Sequence, residues 1–454
     1  AYVPRDVMDT RLRTRIGQAI AEAFAGRLST AYIQVGDSPL ARVHYIIATT
    51  PGEVPEVDVR GLERALAEIA RSFRERLAEA LIAEKGEAGA LAVLGRWGEA
   101  FPAGYSDRRT AREAVADIAL AEAALAAGAL QLALARPQGA APWALALRVA
   151  HPDRPVPLSD ILPLIESLGL RAIEEVPHHL RPAGPGARPV VLHEFLLETE
   201  DHAAFDPARA GAIAEALAAL WQGRAEADGF NRLVVRAGLA WREAWMLRAL
   251  YRWLKQVGFA LSQAAVEAAL AAQPEATRLL VDLFRARFDP DRARDPRAEA
   301  ALDARWRAVL DAVESPDEDR ILTRLRAALD GVVRTSFFRD EAAPTIAFKF
   351  NSRAVGDLPP PVPFREIFVH GPRMEGVHLR GGPVARGGIR WSDRREDFRT
   401  EILGLLKAQT LKNTVIVPTG AKGGFVLKRP PAPTGDLARD REALMAEGVA
   451  CYRL

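Results

Sequence analysis

Between Trp143 and Gln222 the residue pattern changes in the order strand, helix, strand, strand, helix, and few folds accept that order. Trp143–Val149 alternates as a strand. Ser159 or Asp160 then opens a helix that ends at Gly169, where glycine suits the left-handed position after a helix C-terminus. Leu170–Val176 and Val190–Thr199 read as two further strands, joined by the Pro/Gly-rich stretch Arg181–Pro189. Pro207–Gln222 closes the set as a helix with Ile213, Leu217, Leu220 and Trp221 inward. The order predicts an antiparallel sheet with both helices on one face, the other face being free to pair with a second module.

That arrangement is the core of a ferredoxin-like or ACT-type module. A similar pattern precedes it. Arg11–Ala25 spaces Leu12, Ile16, Ile20 and Phe24 as a helix, Ala31–Val35 and Arg42–Thr49 read as strands, and Asp58 caps a long helix from Val59 to Ala83. A helix over Thr110–Ala126 follows the turn at Pro102–Gly104. From Phe230 to Phe338 the pattern is helical, over Leu239–Val257, Gln263–Ala272, Pro274–Phe288 and Ala298–Phe337, with Trp241, Trp245 and Trp253 at core spacing. After Phe338 the composition shifts. Thr345–Phe350, Arg365–His370 and Val377–Leu379 read as short strands, Gly356–Pro363 as a proline-rich link, and a glycine-dense stretch begins at Gly381.

Composition excludes several classes. The 454 residues carry 61 basic and 59 acidic side chains, a net +2 that calls for neither nucleic acid nor an anionic membrane. The single cysteine, Cys451, rules out an internal disulfide framework and a cysteine-rich zinc site, and fits a reducing cytoplasm. No apolar run reaches the roughly 20 residues needed to span a bilayer; Ala114–Ala135 is interrupted by Asp117, Glu122 and Gln131. The histidines, including a His178-His179 pair expected in a loop, lack ligand spacing for a metal. The first residue is not methionine, which predicts a longer parent polypeptide.

Chemistry concentrates in three neighbouring segments: Ala385–Trp391, a helix over Phe398–Lys412, and Pro418–Gly424. The pairs Gly387-Gly388 and Gly423-Gly424, with Gly420, allow close backbone approach or positive φ. Lys407, Lys412 and Lys422 supply cations, while Arg386 and Arg390 supply forked donors. A dicarboxylic amino acid requires two cationic poles and an ionisable group beside its reacting carbon. Lysine suits the last role where neighbouring cations and partial burial favour the neutral amine, which singles out Lys422 as general acid/base. Gly423 follows Lys422 where a phosphate-binding P-loop needs Ser or Thr, so that reading fails. A tight strand-to-loop turn with an exposed lysine is the plainer alternative. Asp393–Arg399 reads as a solvated helix start.

The segment FREIFVHGPRMEGVHLRGGPVARGGIRWSDRREDFRTEILGLLKAQTLKNTVIVPTGAKGGFVLK, Phe364–Lys428, resembles the very large bacterial NAD-dependent glutamate dehydrogenases. So do VPRDVMDTRLRTRI, SPLARVHYII, FPAGYSDRRTAREAVADI, HPDRPVPLSDILPLIESLGL and DGFNRLVVRAGLAWRE, which together extend the resemblance over nearly the whole chain. It implies an α+β multidomain chain with five parts: an ACT-like module over 1–100, a helical connector over 101–142, a second ACT-like module over 143–228, a helical region over 229–338, and the start of an α/β catalytic domain over 339–454. It also implies oxidative deamination of L-glutamate to 2-oxoglutarate and ammonia with NAD, in a cytoplasmic homo-oligomer, a tetramer by the family pattern. Lys422 matches the catalytic lysine, Lys412 the substrate lysine, and Arg386 a lysine for the side-chain carboxylate; Arg390, Gly387, Gly388 and Gly420 line the same pocket. Two spacings depart from small relatives: Lys412 to Pro418 is one residue shorter, and one glycine precedes Ala421 where two are usual.

The resemblance implies that the nicotinamide-binding domain and the catalytic carboxylate lie beyond Leu454; no Gly-x-Gly-x-x-Gly follows a strand in the sequence, and this chain alone is expected to be inactive. The alternative for the chain by itself is a regulatory or assembly region whose modules bind a small effector or another subunit.

Overall fold

The computed structural model describes residues 1–4, 8–34, 38–52, 55–412 and 419–454, with the side chains at 4 and 410–412 outside that description. Packing divides the chain into two units, one of Ala1–Gln131 with Ala150–Pro155 and Pro177–Leu192, the other of the remainder.

The first unit opens with β1 (Tyr2–Pro4), a helix over Thr10–Ala23, β2 (Arg27–Gln34), β3 (Leu40–Ala48) and a helix over Val59–Ala70. The sheet is antiparallel in the order β1-β3-β2, and Val3, Leu12 and Ile16 form its core. The strand-helix-strand-strand-helix order therefore occurs here too, although β1 is too short to show a period in the sequence. The helix expected to run from Val59 to Ala83 is two helices. Ser72 and Glu75 form a reciprocal capping box that starts a new one over Phe73–Trp97, which then kinks at Gly86, where φ is 71°. Trp97, Tyr105 and Ile118 anchor the core behind it. The Tyr105 hydroxyl donates to Asp117 at 2.5 Å, which accounts for a buried carboxylate in the alanine-rich helix Ala111–Ala127.

Next along the chain come β4 (Gln131–Ala135), β5 (Ala144–Pro152), a helix over Leu158–Ser167, β6 (Leu170–Leu180), β7 (Val190–Thr199) and a helix over Ala210–Trp221, with Ala150–Pro152, Pro177–Leu180 and Val190–Leu192 of these strands counted in the first unit. The sheet order is β4-β5-β7-β6. β4, which the sequence pattern did not show, takes the edge that the last strand holds in a β-α-β-β-α-β module. His178 and His179 lie on β6 and not in a loop, and the His178 ring meets Tyr105 edge-on with centroids 5.1 Å apart.

Helices over Trp241–Gln256, Gln263–Ala272 and Pro274–Phe288 follow. The single helix expected over Ala298–Phe337 is replaced by Pro296–Asp311, Pro316–Gly331 and β8 (Val332–Thr335). Pro316 has no N–H to continue a helix, and Ser315 caps the new one in front of it. β9 (Ile346–Phe350), β10 (Arg365–His370), β11 (Met374–Arg380), β12 (Ile389–Trp391) and β13 (Ala421–Leu427) complete a six-stranded sheet, β12-β13-β11-β10-β9-β8. Its pairs are antiparallel except β12/β13, which the helix Phe398–Lys412 joins as a parallel crossover. A further helix, Leu437–Arg453, closes over Trp391, with Gly448 against the indole. Buried Cys451 joins Met374, Phe425 and Leu427 there, and burial pushes its thiol up to about 11. Among the described residues no helix is long and apolar enough to cross a membrane.

The tryptophans of Trp241–Gln256 do more than fill space. Trp253 stacks on Phe350 with centroids 4.0 Å apart and donates to Glu366 at 2.8 Å, while Trp245 donates to His370 Nδ1 at 2.9 Å. His370 Nε2 lies 3.1 Å from Lys428 Nζ and 3.3 Å from Glu226. Burial, then the charges of Lys428, Arg248 and Arg252, hold His370 well below its ordinary range. The unfolded chain therefore takes up a proton near pH 6.5 that the folded chain refuses, and stability falls as pH drops below that value. Urea unfolding at pH 7.5 and 5.5 should show a larger loss for the wild type than for His370→Gln. Equal losses would remove His370 as the cause.

Candidate active site

Strand register aligns the site. Phe350 pairs with Glu366, Glu366 with Leu379, and Leu379 with Lys422, so these four form one row across β9, β10, β11 and β13. Directly paired residues share a sheet face, and residues two apart on a strand share it as well. Gly424 stands two residues beyond Lys422, and a Cβ there would collide with Ile402 of the helix Phe398–Lys412. Lys422 thus projects from the face that this helix covers. It sits on β13, is partly buried where the plainer alternative expected an exposed turn lysine, and has no side-chain partner among the described residues.

The glycines act by close packing. Positive φ is absent at Gly381, Gly382, Gly387, Gly388, Gly420, Gly423 and Gly424, against one of the two roles expected for them. A Cβ on Gly387 would overlap the Ala421 carbonyl, and one on Gly420 would come within 2.7 Å of Gln409 Oε1. Gly388 is different. Arg386 lies opposite Gly420 and Ile389 opposite Gly423, which puts Gly388 beside Lys422, and the space a side chain would take there is open. The backbone locks this edge: Ala421 N–H donates to Arg386 O and Gly423 N–H to Gly388 O, both at 3.0 Å.

The sequence-derived cations differ in their surroundings. Arg386 is exposed and has no side-chain partner among the described residues, while its carbonyl accepts from Gln409 at 3.2 Å. Arg390 is tied to Glu401 at 2.7 Å, and Glu401 also accepts from Ser392 at 2.6 Å. That carboxylate offsets the charge Arg390 would offer to a ligand. Lys412 ends the helix Phe398–Lys412 and its side chain lies outside the described residues, as does Pro418; Lys407 is exposed. The structure therefore brings together Arg386, Gly387, Gly388, Gly420 and Lys422, and directs Arg390 towards the helix.

Residues that sequence reasoning missed hold this frame. Arg399, fully buried, donates through Nε and Nη2 to the two oxygens of buried Glu366, each at 2.7 Å. Its own N–H donates to Gln256 Oε1 at 3.2 Å, and Gln256 Nε2 reaches the carbonyls of Arg395 and Glu396 at 3.1 Å. The start of the helix is thereby pinned over the row that contains Lys422. A glutamate inside the alternating strand Arg365–His370 was the one available signal, since its partners lie 33 and 113 residues away.

Fold and site together define a class: ACT-type modules and helices on one chain with an α/β domain whose glycine-packed edge strands present a lysine. Comparison with known proteins gives this class its family. The description "Bacterial NAD-glutamate dehydrogenase, catalytic domain" matches residues 305–454, the glutamate dehydrogenase ACT2 and ACT3 domains match 1–74 and 129–210, and helical motifs 2 and 3 match 80–124 and 225–290. The chain is 40% identical to an NAD-specific glutamate dehydrogenase of Halomonas elongata, aligning over its whole length with 28% of that protein. It is similarly 40% identical to that of Mycobacterium tuberculosis, of which it covers 29%, and 39% identical to that of Pseudomonas aeruginosa, of which it covers 28%. The chain is thus similar along its whole length to the bacterial NAD-dependent glutamate dehydrogenases and spans a little over a quarter of the length of these relatives.

Proposed function

We propose that this chain supplies the amino-acid half of a glutamate dehydrogenase site, in an enzyme that oxidatively deaminates L-glutamate to 2-oxoglutarate and ammonia with NAD. The supporting observation is Lys422 in the row behind an open, glycine-lined gap, with Arg386 held at the same edge by the parallel pairing to Gly420. Lys422 takes the proton-transfer role, Lys412 and Arg386 bind carboxylates, and Gly387, Gly388 and Gly420 shape the gap. Arg390 holds Glu401 on the covering helix.

The residues present do not fit the nicotinamide cofactor. The one parallel crossover among the described residues turns from β12 to its helix through Ser392–Asp397, without glycine, so it lacks the cradle for a pyrophosphate. NAD is assigned to the enzyme as a whole. A homo-oligomeric, cytoplasmic enzyme goes with the same reading. The support for association is the helix-free face of the first module's sheet, where Tyr2 and Tyr32 stand opposite Arg42 and His44, and Ile46 continues the exposed row.

Calorimetric titration of the chain with 2-oxoglutarate tests the pocket. Binding is expected, weakened at least about tenfold, or roughly 1.4 kcal/mol, by Arg386→Ala. Binding indifferent to Arg386 and Lys422 would overturn the assignment.

A further inference from the structure

A second charged site lies within the second unit, at the end of β11 and β13 opposite Lys422. The register pairs Leu379 with Lys422 at one end of this ladder and Glu375 with Val426 at the other. Beyond Val426 a cavity of about 420 Å³ opens against the helix Trp241–Gln256. Three ion pairs build its inner wall: Arg248 with Asp228 at 2.6 Å, Arg252 with Glu375 at 2.8 Å, and Lys428 with Glu226 at 2.7 Å. Arg248 and Glu375 are fully buried, and Arg248 still leaves Nη1 without a hydrogen-bond partner among the described residues.

These pairs balance, and the rest of the lining does not. It adds Arg395, Arg429 and Glu396, giving five basic side chains against four acidic ones, a local net charge of +1. Glu396 acts on Arg252, which Glu375 already engages. Arg429 reaches only the carbonyls of Gly223 and Ala225, at 3.2 and 3.5 Å, and Arg395 has no side-chain partner among the described residues. Two guanidinium groups at a half-enclosed polar cavity are therefore uncommitted to any carboxylate. Forked donors of this kind match carboxylate and phosphate oxygens.

We propose that this cavity is a binding site for a small dianion, a dicarboxylate or a phosphate, held by Arg395 and Arg429 and distinct from the Lys422 pocket. The occupant would sit between the turn that starts the helix Phe398–Lys412 and the residues that follow β13. Gln256 already joins that turn to the Trp241–Gln256 helix through the Arg395 and Glu396 carbonyls, so an anion adds a second tie at the same place. Both guanidinium side chains are exposed, so replacing them leaves the packed core intact.

The experiment is a titration of the full chain with succinate, inorganic phosphate and acetate, followed by calorimetry and by the shift in Tm. Succinate or phosphate should bind the wild type and the Lys422→Ala variant alike and raise Tm in both. The tighter of the two identifies the source of the dianion. The double variant Arg395→Ala/Arg429→Ala should keep its circular dichroism and lose binding at least tenfold, and acetate should bind weakly throughout. Absence of dianion binding in the wild type, or affinity unchanged in the double variant, overturns the proposal. Dianion binding lost in Lys422→Ala but retained in the double variant also overturns it, while leaving the glutamate pocket standing.

Discussion

In an active enzyme that carries this chain, replacing Lys422 by alanine is expected to lower kcat for glutamate-dependent NAD reduction by about 10²- to 10⁴-fold, the range for removing a positioned acid/base group. Lys422 stands in the row Phe350–Glu366–Leu379–Lys422, with open space beside it at Gly388. A group that transfers a proton only in the transition state lowers kcat and kcat/KM together, whereas a group that merely binds substrate raises KM. The Arg386→Ala variant should therefore act mainly on KM. Steady-state kinetics on both variants distinguishes the roles, and an unchanged kcat in Lys422→Ala would rule out proton transfer by this residue.

The second large effect is on stability. Arg399→Met leaves the Glu366 carboxylate buried without its bidentate partner, which costs about 3–5 kcal/mol in comparable buried pairs. The double variant Glu366→Gln/Arg399→Met removes both charges and still offers Trp253 an acceptor, so it should regain much of that loss. Urea denaturation of the two variants measures the difference. A single substitution costing under about 1 kcal/mol would show that the pair contributes little, contrary to its complete burial. The double variant tests position as well as stability, because Arg399 sits in the first turn of the helix over Lys422. Recovered stability with weakened 2-oxoglutarate binding is the expected combination.

How much of this was legible in the residues differs element by element. Gln263–Ala272, Pro274–Phe288, Val190–Thr199 and Arg365–His370 have the bounds their periodicity indicates, because each is bordered by capping or turn residues and buries one regular face. The second module was readable for the same reason. Its edge strand β4 was not, since a five-residue, half-exposed segment carries little alternation. The long expected helices broke where local chemistry competes with periodicity, at the Ser72–Glu75 capping box and at Pro316. The glycine-lysine segment announced a packed, cation-bearing site, yet its glycines were read partly as conformational devices. Apart from Gly388, which leaves open space, they are contact devices, which only the pairing of β12 with β13 and the packing of the helix Phe398–Lys412 reveal.

The sequence by itself determined the module order, the helical segment and the concentration of glycine, lysine and arginine between Gly381 and Lys428, because hydrophobic period, caps and turn residues act over a few positions. Tertiary structure alone decided which cations remain available. Arg390 and Arg386 are four residues apart and chemically identical, but the fold sets Glu401 against the first and leaves the second without a partner among the described residues. It also set His370 and Glu366 in the core beside tryptophans more than 110 residues away. Ion pairing and desolvation depend on distances in space, and the spacing of residues along a chain does not contain them.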